Sequence, residues 1–329
     1  MKFATINNSK PDGQLVLVSK DLTDYVDISD LAGTLQEALD LWPAIQDKLL
    51  LRYEALNALE LTGINKVCNT QLMAPLPRSW QWLDGSLFLN HGVLMQQAFH
   101  LDPIEDADIY PLVYQGAGDS FLSANDKIAA PSNEVGLDFE GEFGVMVGDI
   151  PMGSSPEFAL EKIRLIVMLN DISYRALGPR EMKTGFGFVQ AKGATSFAPF
   201  AITPDELGEN WRNGRISLPL EVYRNDKWFG APDGTEMFFG FHELIAHVAK
   251  TRPIKAGTVF GSGTVSNADI SKGQACISEL RAKEMIATGK PQTDFLQSGE
   301  TVHMRVLDSQ GKSIFGDIKQ EAIMENTHV

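Results

Sequence analysis

The segment from residue 137 to residue 148, Leu-Asp-Phe-Glu-Gly-Glu-Phe-Gly-Val-Met-Val-Gly, constrains the fold more than any other part of the chain. An acidic start runs directly into an apolar stretch with the composition of a β-strand. Side chains two residues apart point to the same face of an extended strand, so Glu140 and Glu142 would lie side by side. Two carboxylates at that spacing repel each other, and the fold must offset this repulsion.

Two interpretations of this pair are open from the residues alone. In a partly buried site, a proton or a divalent cation has to offset the repulsion, and carboxylate oxygens suit Mg²⁺, Mn²⁺ or Ca²⁺. Alternatively, Glu140 and Glu142 lie on an edge strand where water solvates both side chains.

Two further charged residues follow downstream. Asp171 ends the apolar run that begins at Ile166, and strand ends are frequent positions for functional residues, although an aspartate there also caps turns. Lys192 lies among small residues between Gln190 and Pro199, so its side chain either reaches into a cleft or lies on the surface.

The bulk properties of the chain exclude several classes of protein. With 329 residues, 43% of them hydrophobic, it can bury a large core without disulfides. Its net charge of −15 argues against a nucleic-acid or anionic-membrane partner. Cys68 and Cys276 lie far apart without neighbouring metal ligands, which indicates neither a disulfide framework nor zinc and favours the cytoplasm. The polar N-terminus and the short apolar runs predict neither a secretory signal nor a membrane span.

The first part of the chain reads as a small β/α module. Strand-like residues 3–6 and 15–18 flank the turn signal Pro11-Asp12-Gly13 and predict a hairpin. Helical spacing follows over residues 34–59, interrupted at Pro43. Residues 74–78 cannot continue a helix, so we predict a domain boundary near residue 75, with domains 1–75 and 76–329.

Strand-like segments dominate after this boundary and predict a β-rich α+β fold. Turn signals at 225–226 and at 308–311 indicate hairpins, the second between residues 302–307 and 313–315, whereas residues 241–250 have helical periodicity. The sequence Gly261-Ser262-Gly263 lacks the third glycine of a dinucleotide-binding loop, so a Rossmann fold has little support.

The order of these motifs resembles the fumarylacetoacetate hydrolase family. The family's motifs correspond here to blocks in the same order: Asp138 to Gly148, Asn170 to Arg175, Lys192 to Pro199, and Ser262 to Ser266 followed by Glu279. Fumarylacetoacetases also carry a metal-binding Asp seven residues before a catalytic His, which is the spacing of Asp84 and His91, and Tyr114-Gln115-Gly116 is similar to their substrate-contacting Tyr-His-Gly. The resemblance covers residues from about 75 to 320.

The resemblance implies a small N-terminal β/α domain followed by the mixed β-sandwich roll of this family's C-terminal domain. It also implies three groups of site residues: metal ligands Asp84, Glu140, Glu142 and Asp171; catalytic residues His91, Glu279 and Lys192; and substrate-binding residues Tyr114, Arg175, Thr264 and His100. Without the resemblance, His91 reads as a structural histidine.

The implied activity is metal-dependent hydrolysis of a carbon-carbon bond in a β-diketone dicarboxylate such as fumarylacetoacetate, in tyrosine and phenylalanine catabolism. The implied cofactor is Mg²⁺, Ca²⁺ or Mn²⁺, and the implied assembly is a homodimer. Decarboxylation, hydration or isomerisation of 2-oxo acids on the same metal platform is the alternative, and a non-catalytic, cation-stabilised binding protein is a third.

Two departures bear on the substrate. His100 stands where longer fumarylacetoacetases have an arginine, and Gly178 stands where they have a glutamine. Both positions contact substrate in those enzymes, so the acyl chain of the substrate is open, whereas the metal ligands and the pair of His91 and Glu279 are unaffected.

Overall fold

A computed structural model describes residues 1–325 of the chain. The strands are β1 (Lys2–Ile6), β2 (Gln14–Val18), β3 (Asp24–Asp27), β4 (Asn65–Lys66), β5 (Trp82–Gly85), β6 (Val113–Gly116), β7 (Ile128–Ala130), β8 (Leu137–Asp138), β9 (Gly141–Val147), β10 (Ile163–Asn170), β11 (Ser173–Tyr174), β12 (Ser196–Phe197), β13 (Ala201–Ile202), β14 (Trp211–Arg212), β15 (Arg215–Ile216), β16 (Glu221–Arg224), β17 (Lys227–Gly230), β18 (Val259–Gly261), β19 (Thr301–Arg305) and β20 (Ile318–Met324). The α-helices are α1 (Leu35–Asp40), α2 (Trp42–Asn57), α3 (Leu89–Phe99), α4 (Pro156–Lys162), α5 (Gly178–Thr184), α6 (Phe241–Ala249) and α7 (Ile277–Thr288).

Two mixed sheets organise these elements and confirm the predicted β-rich α+β class. An 11-stranded sheet has the order β4-β3-β2-β1-β13-β10-β9-β18-β5-β6, with β12 paired to β10. A five-stranded sheet has the order β17-β16-β19-β20-β7, and β11-β8 and β14-β15 form two short ribbons. In the part of the chain from residue 1 to residue 325, no helix is long and apolar enough to cross a membrane.

The N-terminal predictions agree with the structure. β1 and β2 form the expected antiparallel hairpin, and Pro43 lies in the first turn of α2, directly after the break between α1 and α2. β1 also pairs with β13 through Lys2 and Ile202, so the large sheet runs across residue 75 without interruption. The division into residues 1–75 and 76–329 stays a prediction.

One predicted hairpin near the C-terminus is wrong in its second strand. Ser313 forms only an isolated bridge with Leu307, and β19 pairs instead with β16 and β20. Gly316 has a φ of 75°, a left-handed conformation that ends any strand beginning at Ser313. In β20, by contrast, buried and more exposed residues alternate from Ile318 onward, as expected of a strand with one face in the core.

The hairpin between β16 and β17 matches its prediction. Asn225 and Asp226 form its two-residue turn, and both have positive φ values, 51° and 58°. A turn with this geometry follows the right-handed twist of the flanking strands.

The apolar pattern of the sequence does not predict α3 or α7. Among its residues α3 buries only Ala98, and α7 buries Ile277, Glu279 and Ala282.

The centre of the large sheet has unusually close packing between β18 and β5. Gly261 on β18 lies opposite Asp84 on β5 and opposite Gly144 on β9. A Cβ atom at Gly261 would lie closer than 3.0 Å to Asp84 Oδ1 and to the ring of Trp82. Only glycine therefore allows the carboxylate of Asp84 its position over this strand.

We expect Gly261→Ala to lower the free energy of unfolding by about 1–3 kcal/mol, because the added methyl group overpacks a closed site. Thermal unfolding measures the loss. Gly178→Ala is the control, since nothing lies within 4 Å of a Cβ atom at that position. Equal melting temperatures for the two variants would contradict the packing argument.

Candidate active site

Four carboxylates meet at the ends of neighbouring strands of the large sheet. Asp84 lies on β5, Glu142 on β9, Asp171 directly follows β10, and Glu140 directly precedes β9. β10, β9, β18 and β5 are consecutive neighbours in the sheet, which brings the four side chains together from distant parts of the sequence. All four are buried, and one carboxylate oxygen from each of Asp84, Glu142 and Asp171 lies within 4.8 Å of the others.

Backbone pairing fixes Glu140 against Asp171. The Glu140 amide donates to Asn170 Oδ1 at 2.9 Å, and the Asp171 amide donates to the Glu140 carbonyl at 3.0 Å. The Lys192 ammonium lies between the two side chains, with Nζ at 2.5 Å from Glu140 Oε2 and 2.5 Å from Asp171 Oδ2. Lys192 therefore reaches into the cluster rather than lying on the surface.

Arg175 is the second cation at the cluster. Its Nε donates to Asp138 Oδ2 at 2.8 Å, and its Nη2 donates to Glu140 Oε1 at 2.5 Å. Two cations face five buried carboxylates, since Asp138 is buried beside the other four. The protein's own positive charge therefore leaves part of the cluster uncompensated.

The pKa values divide the cluster into two parts. Burial alone would raise the pKa of Glu140, but the charges of Arg175 and Lys192 outweigh burial and hold it below its usual range. Burial, followed by the charge of Asp171, raises the pKa of Asp84 to about 8. Burial and the charge of Asp84 raise the pKa of Glu142 well above its usual range, and burial raises that of Asp171.

The environment of Glu142 shows whether a divalent cation fits the cluster. Both of its carboxylate oxygens are buried, and neither has a hydrogen-bond partner in the described structure. An acidic, oxygen-only donor set with an unsatisfied carboxylate is the environment that hard divalent cations prefer. Asp84, Glu142 and Asp171 therefore fit a divalent cation, which would supply the missing positive charge. Both oxygens of Glu140 accept from Arg175 and Lys192, so a metal bond from Glu140 stays a prediction.

Hydrogen bonds hold two of these carboxylates in place. The Tyr114 hydroxyl donates to Asp171 Oδ2 at 2.6 Å, and the Thr195 hydroxyl donates to Asp171 Oδ1 at 3.0 Å. The Gly263 amide donates to Asp84 Oδ1 at 3.0 Å. Each of these bonds orients a carboxylate that would otherwise turn freely.

His91 and Glu279 form a pair beside the cluster. His91 Nδ1 lies 2.9 Å from Glu279 Oε1, and Glu279 is almost completely buried. His91 lies in the first turn of α3 and Glu279 in the first turn of α7. Glu140 forms an isolated β-bridge with Cys276, the N-cap of α7, so the first turn of α7, which carries Glu279, lies close to the carboxylates.

Asp138 positions α7, a role that the sequence analysis misses. Its carboxylate accepts hydrogen bonds from the Ile277 amide at 2.8 Å and from the Ser278 amide at 3.0 Å. A carboxylate at a helix N-terminus satisfies free amides and favours the helix dipole. One side chain thus holds Arg175 and the helix that carries Glu279. The acidic run at 138–142 signals its importance but not its partner.

The residues predicted to bind substrate are placed differently from one another. Tyr114 contacts the cluster, and Thr264 is buried next to Gly263. Arg175 donates hydrogen bonds to Asp138 and Glu140, which favours a role in holding these carboxylates over a substrate contact. His100 is exposed at the end of α3, about 13 Å along the helix axis from His91, so the structure does not bring it to the cluster.

Fold and site define a mixed-sheet protein with a buried acidic centre, and comparison with known proteins assigns its family. Residues 82–323 match the model of the fumarylacetoacetate (FAA) hydrolase C-terminal domain, and residues 1–78 match that of the fumarylacetoacetase N-terminal domain 2. The chain belongs to the fumarylacetoacetate hydrolase family, and the predicted C-terminal domain type is confirmed.

Individual relatives are distant. The 2,4-didehydro-3-deoxy-L-rhamnonate hydrolase of Sphingomonas sp. (strain SKA58) is 24% identical over 60% of this chain, and the match spans only 61% of that relative. Maleylpyruvate hydrolase from Sphingobium sp. SYK-6, in complex with manganese(II) ion and pyruvate, has a TM-score of 0.64 at 15% identity, covering 98% of this chain and 99% of its own. The 5-carboxymethyl-2-hydroxymuconate delta-isomerase from Mycobacterium smegmatis has a TM-score of 0.60 at 15% identity, covering 99% of each chain. These structures share the fold.

We expect the cation-free protein to lose stability as the pH rises from about 5 to 8. The raised pKa of Asp84, about 8, means that the folded protein keeps a proton which the unfolded chain releases near pH 4, and Glu142 and Asp171 shift in the same direction. Glu140 is ionised in both states over this range and adds no slope. Melting temperatures in EDTA measure the effect.

Asp84→Asn is the control for this prediction, because the amide cannot ionise but can still accept from the Gly263 amide. Buried histidines such as His242, whose pKa is lowered by burial, add the opposite slope in both proteins, so the difference between wild type and variant isolates the contribution of Asp84. Saturating Mg²⁺ or Mn²⁺ should raise the wild-type melting temperature at pH 8 by on the order of 5 °C. A slope that is the same in both proteins would contradict the prediction.

Proposed function

We propose that this protein is a metal-dependent enzyme that hydrolyses a carbon-carbon bond in a β-diketone dicarboxylate such as fumarylacetoacetate. The observation that carries the proposal is the pair of His91 and Glu279, joined at 2.9 Å beside the carboxylate cluster. Membership of the fumarylacetoacetate hydrolase family and the hydrolase names of two relatives support it.

Asp84, Glu140, Glu142 and Asp171 would hold the cation, as Mg²⁺, Ca²⁺ or Mn²⁺. The manganese ion in the structure of the maleylpyruvate hydrolase supports a divalent cation in this family. When bound, the cation supplies Lewis-acid polarisation of the substrate carbonyl.

His91 would act as the base. Glu279 accepts a hydrogen bond from the N–H at Nδ1, which leaves Nε2 without a proton. Nε2 can then take a proton from a water molecule while the oxygen of that water attacks the carbonyl carbon. When the carbon-carbon bond breaks, its electron pair passes to the departing carbon as an enolate. The imidazolium then returns its proton to that enolate, so no further acid is consumed.

Lys192 would stabilise the oxyanion formed by this attack. Its ammonium carries three donors, and Glu140 and Asp171 use two of them, which leaves one for substrate. Tyr114 and Thr264 would contact the substrate from the two sides of Asp84, while Arg175 braces Glu140. A contact with His100 would need a movement of α3.

A second reaction class uses the same cluster without the histidine pair. A 2-oxo acid decarboxylase, hydratase or isomerase needs the cation site but no activated water, and the muconate isomerase among the structural neighbours favours this alternative. A role in tyrosine and phenylalanine catabolism and a homodimeric state are part of the proposal and rest on the family resemblance, and a cytoplasmic location rests on the two separated cysteines. Light scattering tests the oligomeric state.

We expect EDTA to abolish turnover of fumarylacetoacetate, because removing the cation leaves Asp84 and Glu142 protonated and the substrate carbonyl unpolarised. Loss of ultraviolet absorbance of the diketone follows the reaction. Mg²⁺, Mn²⁺ or Ca²⁺ added to the stripped protein should restore the rate. Full turnover without any added cation would rule out the metal role.

We expect His91→Ala to lower kcat by about 10²- to 10⁴-fold, since the variant lacks the base, while cation affinity measured by calorimetry stays within about twofold. His303→Ala is a matched control: His303 forms a similar pair with Asp317, at 2.8 Å, and belongs to the five-stranded sheet. If His91→Ala keeps the wild-type rate, the hydrolase mechanism is wrong and the isomerase or decarboxylase class replaces it.

A further inference from the structure

Residues 178–191, here called the flap segment, join Arg175 to Lys192 and comprise α5 and the turn after it. Large apolar side chains on this segment face solvent: Met182 is 60% exposed, Phe186 95% and Val189 82%. An apolar core therefore does little to fix the outer part of the segment. Polar contacts have to define its position.

Glu181 supplies those contacts. Its carboxylate accepts hydrogen bonds from three consecutive backbone amides, at 3.1 Å from Val189, 2.8 Å from Gln190 and 2.9 Å from Ala191. The amides of Gln190 and Ala191 also hold the pKa of Glu181 below its usual range, so the carboxylate is ionised at neutral pH. One side chain thus ties the turn back onto α5.

The residue directly before these amides is Phe188, which packs against Tyr114, a neighbour of the cluster. Its ring packs edge-on against Tyr114 with the ring centroids 5.2 Å apart, and Lys192 Nζ lies 5.3 Å from the centroid of the same tyrosine ring. Tyr114 donates to Asp171, one of the four carboxylates. Phe188 is only partly buried, so part of its side chain is accessible.

We propose that Phe188 is a specificity-determining residue and that Glu181 is the positioning residue that holds it. This inference rests on the proposed function in that the substrate binds at the carboxylate cluster. Phe188 and Tyr114 then form an aromatic wall beside the substrate chain. Such a wall accepts a flat, conjugated chain by stacking and burial of apolar surface, whereas it offers no partner to hydroxyl groups.

The wall therefore selects an unsaturated dicarboxylate over a polyhydroxylated sugar acid. The distinction matters because the relatives include enzymes named for both kinds of compound, maleylpyruvate and a deoxyrhamnonate derivative. Desolvating a hydroxyl group against two rings costs free energy unless a hydrogen bond replaces the lost water. The proposal assigns this chain to the conjugated class.

Binding of two unreactive six-carbon dicarboxylates to the Mn²⁺-loaded protein tests the wall without requiring turnover. The probes are trans,trans-muconate, which is conjugated, and galactarate, which carries four hydroxyl groups. Wild type should bind muconate more tightly than galactarate by calorimetry. Phe188→Ala should lower the affinity for muconate by roughly tenfold and keep the affinity for galactarate within about twofold of wild type. Phe188→Tyr should restore the affinity for muconate.

Glu181→Gln tests the positioning role, since an amide has only one oxygen for three backbone donors. The substitution should lower the affinity for muconate by several-fold and leave the affinity for Mn²⁺ unchanged. Glu157→Gln is the matched control, because Glu157 also lies in the first turn of a short helix that has a proline in that turn. A Glu181→Gln result equal to that of Glu157→Gln rejects the role of Glu181.

Several results would overturn the inference about Phe188. The first is that the wild-type protein does not bind muconate. The second is that it binds galactarate as tightly as muconate. The third is that Phe188→Ala changes the affinity for both probes equally. Failure of the protein to hydrolyse any diketone, with muconate selectivity intact, would count against the proposed reaction and leave the wall in place. The two ideas therefore fail separately.

Discussion

The burial of several carboxylates in one place is the constraint on which the rest of this structure depends. Like charges in a low-dielectric interior are tolerated only when protons, cationic side chains or metal ions balance them. Here Arg175 and Lys192 keep Glu140 ionised, whereas burial and the neighbouring carboxylates raise the pKa values of Asp84 and Glu142. The cluster is therefore incomplete by itself, and this incompleteness makes it a site for a divalent cation.

The surrounding fold serves this cluster by bringing backbone and helix ends close to it. Gly261 allows Asp84 to lie over β18, and Asp138 joins the acidic run to the N-terminus of α7. Because α7 carries Glu279, the same aspartate that holds Arg175 also fixes the partner of His91. Charge balance and the position of the proposed base are thus coupled through one side chain.

Much of the fold and of the site follows from local sequence signals. The hairpin of β1 and β2, the break at Pro43 and the turn at Asn225 are set by proline, glycine and turn residues acting over a few positions. α3 and α7 escape such an analysis because they bury few apolar residues. The strand predicted at Ser313 fails for a different reason, since Gly316 adopts a left-handed conformation and the following residues, Ile318–Met324, pair with β19 instead.

The sequence by itself determined which chemical groups are available: the alternating carboxylates at 138–142, the aspartate after β10, the lysine among small residues and a histidine seven residues after Asp84. Only the tertiary structure decided which of them meet. It placed Lys192 in the cluster, turned Arg175 towards Asp138 and left His100 exposed. The physical reason is that strand order and helix packing set distances between residues far apart in the chain, and no local pattern encodes those distances.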